Sequence, residues 1–400
     1  MVKIKWLILP LLIGFVILPR LSIDLYLPSL PHIGLDLHTN EKMLQMTLTA
    51  YIFGYALSMW LTGHLSNYMG KKKVMLSGLT IYLISTIVCM FAHSILLLIV
   101  ARFFQALGGC CGTVVARVMV KEGYSKDEQI GMLAHLSTAM ALSPLVTPVL
   151  GGILQTYFGW RSIFFVLAII SFILFITSKD QLLDNEKNIN SSSPSKIYAQ
   201  YKDLLTNKQF IGYSLAISFA WCDYFAFTLE SPFLIQKTLG FSSIGFGFIF
   251  SLIVLGYVVG TQMTRILANK LGWDKFILIA CGFCFVGAMI LSILITVLPL
   301  NWEIMAFPMM IVMVGVGIIF PCIQGAVMQP FPHIAGLASG LFFFIQMCFG
   351  GLAGLILQAI GQPSIKLMSY FILISSVLLY VSFYKLIWIN RVTETQLIKV

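Results

Sequence analysis

Twelve times along this 400-residue chain an apolar run ends at a charge cluster or a Gly/Pro turn. Each run is about the 20 residues that a helix needs to cross the hydrocarbon of a bilayer. In lipid, every backbone polar group must be satisfied within the protein, which leaves helices and closed barrels as the spanning structures. The runs fall near 5–28, 43–66, 74–93, 96–119, 129–154 and 162–178, then 209–232, 243–267, 276–298, 303–329, 334–361 and 366–388. Charged residues are 10% of the chain and hydrophobic ones 59%, whereas a soluble protein carries about 25% charge. That balance excludes a cytosolic enzyme, a secreted disulfide scaffold and a disordered chain. The expected fold class is an all-α membrane protein with 12 transmembrane helices. Two six-helix bundles, 1–178 and 209–400, would face one another around a central cavity, joined by a cytoplasmic linker over 179–208. The first run begins like a signal peptide but lacks a small-residue cleavage site, so it reads as an uncleaved first span.

The net charge of +10 comes from 25 basic and 15 acidic residues, and its placement matters more than its size. Lys71, Lys72, Lys73, Arg117, Lys121 and the linker lysines share one side of the membrane with Lys3, Arg265, Lys270, Lys385, Arg391 and Lys399. The opposite side keeps Lys42, Arg161, Lys237 and Lys366. Basic residues mark cytoplasmic loops, so both termini and the linker are expected in the cytoplasm of a multi-pass inner-membrane protein. Such scattered charge is no nucleic-acid surface. The linker mixes charge with Asn, Ser and Pro, and an amphipathic helix is expected near Ile197–Leu205. The eight cysteines lie inside apolar runs and read as inert packing. Cys281 and Cys284 spell C-x-x-C without further ligands, so neither a metal nor a cofactor is expected.

Ionisable residues within spans are costly unless paired or wetted, which makes them the informative positions. Arg20 and Asp24 stand four apart on one helix face. They read either as a structural ion pair or as a proton or cation site. Arg102 lies early in span four with Gln105 on the same side, above a small-residue face of Gly108, Gly109 and Gly112. It reads either as snorkelling to the interface or as functional. Pro144 and Pro148, followed by Gly151 and Gly152, predict a bent and closely packed span five. Asp223 and Glu230 are two turns apart in span seven, among Trp221, Tyr224 and Phe227. Carboxylates among aromatic walls suit a lipophilic cation, and an aromatic stripe equally suits packing. No phosphate-binding loop, H-E-x-x-H or G-x-S-x-G occurs, so neither an ATP-driven pump nor an enzyme is expected. The segments GHLSNYMGKKK and TRILANKLGWDK echo one another after spans two and eight, as an internal duplication would.

On these motifs the chain resembles the Major Facilitator Superfamily, in particular drug:proton antiporters of the bicyclomycin/chloramphenicol resistance type. The loop GHLSNYMGKKKVML, the span-four stretch RFFQALGGCCGTVVAR and ALSPLVTPVLGG of span five carry the likeness. IDLYLPSLP and FAWCDYFAFTLESPFLIQKTLGF extend it. The resemblance implies that Arg102 takes part in proton coupling, with Asp24 as its acidic partner or as a substrate-facing carboxylate. Arg20, Asp24, Tyr26, Gln105, Trp221, Asp223, Tyr224, Phe227 and Glu230 would line the substrate cavity. Pro144, Pro148, Gly151 and Gly152 would shape the antiport bend. Gly63, Asn67, Gly70, Lys71, Lys72 and Lys73 would form a cytoplasmic gate, where Asn67 replaces the family's usual acid and Lys71 its usual arginine. The expected activity is proton-coupled export of small amphipathic compounds by a monomer whose partners are substrate, protons and lipid. Transport of a specific metabolite such as a siderophore or peptide, or a non-transporting receptor, are the alternatives.

Overall fold

The computed structural model describes residues 5–181, 194–331 and 334–388, and among them there is no strand. The chain divides into two compact units. The first contains α1 (Lys5–Asp24), a short 3-10 turn (Leu27–Ser29), α2 (Leu30–Asp36) and α3 (Glu41–Met69). It continues through α4 (Lys71–Met90), α5 (Ile95–Gly109), α6 (Cys111–Gly123), α7 (Lys126–Phe158) and α8 (Arg161–Gln181). Gly240–Ser251 also clusters with it. The second unit holds α9 (Pro194–Thr206), α10 (Lys208–Phe233) with its π-helical extension Leu234–Thr238, and α11 (Ser243–Leu271) from Leu252 onward. Then follow α12 (Trp273–Val297), α13 (Trp302–Ala326), α14 (Ala335–Ile360) and α15 (Ile365–Phe383). Helix α9 covers the expected amphipathic stretch, while 182–193 of the linker and the basic residues Lys3, Arg391 and Lys399 lie outside the described residues.

Eleven helical segments among the described residues are long and apolar enough to cross a membrane. The sequence reading placed twelve, and α3 makes the difference. It is 29 residues long, about 43 Å at 1.5 Å per residue, but it buries Gln45, Thr47, Thr49, Ser58 and Thr62. A helix that turns hydroxyls and an amide toward its neighbours is less apolar than one that faces only lipid and leucine. Span four also differs from the single helix expected. It breaks at Cys110, between α5 and α6, directly after Gly108 and Gly109, where two residues without side chains weaken the helix. Span five is one unbroken helix, α7, which carries Pro144 and Pro148 inside it.

Helix ends follow local chemistry. Side-chain oxygens of Asn40, Ser94, Asn207 and Asn301 accept from backbone N–H groups in the first turns of α3, α5, α10 and α13 at 2.8–3.3 Å. Gly70 joins α3 to α4 at φ 84° and ψ 150°, and Gly272 joins α11 to α12 at φ 81° and ψ 139°. Side chains rarely tolerate that conformation. The two glycines hold matching places in the paired segments that the sequence singled out. Helix pairing repeats as well. In the first unit α1 packs on α7 and α8, and α4 on α5 and α8; in the second, α10 packs on α14 and α15, and α12 on α13 and α15.

Candidate functional site

Arg102 is fully buried in the first unit and does not snorkel. Its guanidinium carbon lies 4.5 Å from the Tyr26 ring centroid and 4.3 Å from that of Tyr51. A desolvated cation over an aromatic face gains about 2 kcal/mol, so two rings partly replace the water that burial removes. Nη1 donates to Gln105 Oε1 at 2.6 Å, and Gln105 Nε2 donates to Thr86 Oγ1 at 2.8 Å. The rings are held in turn: the Tyr51 hydroxyl donates to the Pro19 carbonyl at 3.0 Å, and the Tyr26 hydroxyl meets Thr47 Oγ1 at 3.0 Å. Ser22 and Tyr82 hydroxyls meet at 2.6 Å beside this network. Nε and Nη2 of Arg102 have no acceptor, and no carboxylate pairs with it among the described residues.

Asp24 is also fully buried, and its partner is Arg20, whose Nε donates to Oδ2 at 3.1 Å. The expectation that Asp24 is the acidic partner of Arg102 is not met in this structure. Four residues along a helix place Arg20 one turn below Asp24, so the local pair forms without any tertiary rearrangement. Oδ1 of Asp24 has no hydrogen-bond partner. The Thr147 hydroxyl of α7 borders the carboxyl but donates to the Ser143 carbonyl at 2.7 Å. Arg117, read from the sequence as a topogenic charge, is half-buried. Its Nη2 points at the Met140 sulfur at 3.4 Å, with Tyr55 close by.

The glycines of span five mark close backbone approach. A Cβ on Gly151 would strike the Leu25 carbonyl, one residue past Asp24, and a Cβ on Gly152 would strike the Ser243 carbonyl. The Ser243 hydroxyl lies 3.1 Å from His32 Nε2 and donates to the Pro28 carbonyl at 3.2 Å. In the span-two loop, Lys71, Lys72 and Lys73 open α4, whereas Gly63 faces open space and meets nothing. The side chain of Asn67 lies outside the described residues.

In the second unit, the span-seven residues separate by face. Trp221 stacks on Tyr224 (centroids 5.5 Å apart, 11° between planes) and on Phe225, and packs against Phe320 of α13. Asp223 and Glu230 point to α15: Ser376 Oγ donates to Asp223 Oδ2 at 3.0 Å, and the Ser364 N–H donates to Glu230 Oε2 at 3.0 Å. Phe227 is fully buried on the acidic stripe. The aromatic stack and the carboxylates therefore do not form one cation-binding wall. The reason is helical geometry. Two residues are about 200° of rotation apart, so Trp221 and Asp223 face opposite ways, while 223, 227 and 230 fall on one stripe. Tyr51, Tyr82, Thr86, Ser375 and Ser376 were not singled out from sequence. Their one signal was hydroxyls a turn apart, or side by side, in apolar runs.

A family profile described as Major Facilitator Superfamily matches residues 12–389. The chain is 27% identical to multidrug resistance protein D of Escherichia coli, over 90% of this chain and 91% of that one. It is 24% identical to a bicyclomycin resistance protein homolog of Haemophilus influenzae, over 84% and 85%. A crystal structure of a D-xylose–proton symporter shares the fold at TM-score 0.78 and 14% identity, covering 96% of this chain and 98% of that one. With twin helical units of repeated pairing and a family match over nearly its whole length, this multi-pass membrane protein belongs to the Major Facilitator Superfamily of transporters.

Proposed function

We propose that the protein exports small amphipathic compounds in exchange for protons by alternating access. The observation that carries this reading is Asp24: a fully buried carboxyl with one oxygen on Arg20 at 3.1 Å and the other without a partner. A proton arriving on Asp24 discharges the Arg20 pair, and its departure restores the pair. Arg102, clamped between Tyr26 and Tyr51, keeps two donor nitrogens open beside the end of α1. A change at Asp24 reaches it through Tyr26, two residues on. One proton crossing the membrane potential supplies about 2.3 kcal/mol per 100 mV, enough for modest uphill export. Relatives named for bicyclomycin, chloramphenicol and multidrug resistance support an amphipathic drug-like substrate.

In this reading Arg20, Asp24, Tyr26 and Gln105 of the first unit meet the substrate, and so, within the second unit, do Trp221 and Tyr224. Gly151 and Gly152 let α7 approach Leu25 and Ser243 closely, and Gly70 with Lys71–Lys73 forms the cytoplasmic gate. The protein works as a monomer in the inner membrane with both termini in the cytoplasm, and it performs no catalysis. The test uses inverted vesicles carrying a pH-sensitive dye and a panel of drugs and siderophores. Substrate addition releases protons from wild type, and Asp24→Asn or Arg102→Ala abolishes the release while the protein still inserts. Normal release from both variants rejects the assignment. Substrate binding without any proton release in wild type identifies a receptor instead.

A further inference from the structure

Asp223 is the fully buried acid that the exchange at Asp24 leaves unused. It sits at mid-length of α10, facing α15 and α12 within the second unit. Ser376 Oγ gives its hydrogen to Oδ2 at 3.0 Å. Ser375 also borders the carboxyl, but its hydroxyl hydrogen goes to the Phe219 carbonyl at 3.0 Å. That hydrogen is spent on the backbone. Oδ1 receives no hydrogen bond among the described residues. The remaining titratable neighbours are thiols: Cys222 on the same helix, and Cys281 and Cys284 on α12. No cation pairs with Asp223 among the described residues.

An ionised carboxylate would be left here with an oxygen lacking any donor and a charge lacking any counter-ion, the costliest arrangement in a dry interior. A hydrogen on Oδ1 removes the charge: the acid becomes neutral, Oδ2 keeps the bond from Ser376, and no counter-ion is needed. We propose that Asp223 holds a proton in this structure and is a second proton-carrying carboxyl of the transport cycle, so that each helical unit carries one. The step is a bare proton transfer. The Oδ1–H bond forms with a proton taken from water on one side of the membrane and breaks to return it to water on the other, with no change of oxidation state. The inference rests on proton-coupled transport for its place in the cycle, and on donor–acceptor geometry for the proton itself.

Two measurements separate those parts. Difference infrared spectroscopy of the full chain in lipid, wild type minus Asp223→Asn, reads the carboxylic-acid carbonyl stretch. A band lost in the variant places the proton on Asp223; its absence at neutral pH overturns the proposal. Loss of the band on adding Na⁺ at fixed pH overturns it in favour of a metal cation. Should Asp223→Asn insert poorly, Ser376→Ala serves: a neutral acid whose Oδ2 loses its donor shows a shifted band, and an ionised one shows no change in that region. In proteoliposomes, the protons released per substrate exported fall about twofold in Asp223→Asn. An unchanged ratio makes Asp223 a fixed neutral acid and rejects its part in the cycle. A wild type that moves substrate with no proton release refutes the coupling reading, while the infrared difference still decides where the proton sits.

Discussion

Glu230 and Asp223 share one stripe of α10, and their chemistry differs because their partners do. Glu230 accepts from the Ser364 N–H at the start of α15, where a negative group complements the open N–H groups and positive end of a helix. Glu230→Ala is therefore expected to cost about 1 kcal/mol of stability, read as a lower Tm of the detergent-purified protein, whereas Glu230→Gln keeps an accepting oxygen and loses less. Arg102 allows a finer discrimination. Lysine keeps the charge but lacks the flat guanidinium that lies against two rings. Arg102→Lys should then reduce transport about tenfold with insertion unchanged, and Tyr51→Phe, which keeps the ring face and loses only the bond to Pro19, should reduce it less than threefold. Equal losses in both variants would show that the hydroxyl, not the face, holds the site. The charged residues stood out in the sequence because each contrasts with an apolar span. Tyr51, Tyr82 and Ser375 did not, since a lone hydroxyl is cheap to bury once it bonds a backbone carbonyl or a neighbouring hydroxyl.

Among elements, the joints and crossings of helices give the sharpest expectations. Gly70 and Gly272 adopt φ near 84° and 81°, so alanine at either is expected to destabilise by at least about 1 kcal/mol. Gly63, whose added Cβ meets nothing, should accept alanine with no change in Tm. Gly152→Ala pushes the added methyl onto the Ser243 carbonyl and should lower both Tm and transport. If Gly152→Ala behaves like Gly63→Ala, the close approach of α7 to the start of α11 is not required. The positions of eleven spans were legible because hydropathy contrast is strong over 20 residues. The break at Cys110 was not, because it depends on how Gly108 meets α4 at Gly78 and Tyr82, a tertiary fact. The buried polar face of α3 was hidden for the same reason: its threonines alone do not say which way they point.

At the scale of the molecule, topology follows from where the basic residues lie. A fluorescent protein fused to the C-terminus should be bright and an alkaline phosphatase fusion inactive, as expected of a cytoplasmic end; the reverse result would invert the assigned orientation. The repeat of helix pairing between units was visible in sequence only as the echo of two short loops, because lipid-facing positions accept almost any apolar residue and erase the rest of the likeness. In the first unit, the guanidinium of Arg102 is gripped by rings from the turn after α1 and from α3, and by an amide on its own α5 that reaches on to α4. Sliding any one of these segments past the others would strand an ion in oil. That single side chain thus acts as a rivet, and whatever rocking the transporter performs must carry those four segments as one block.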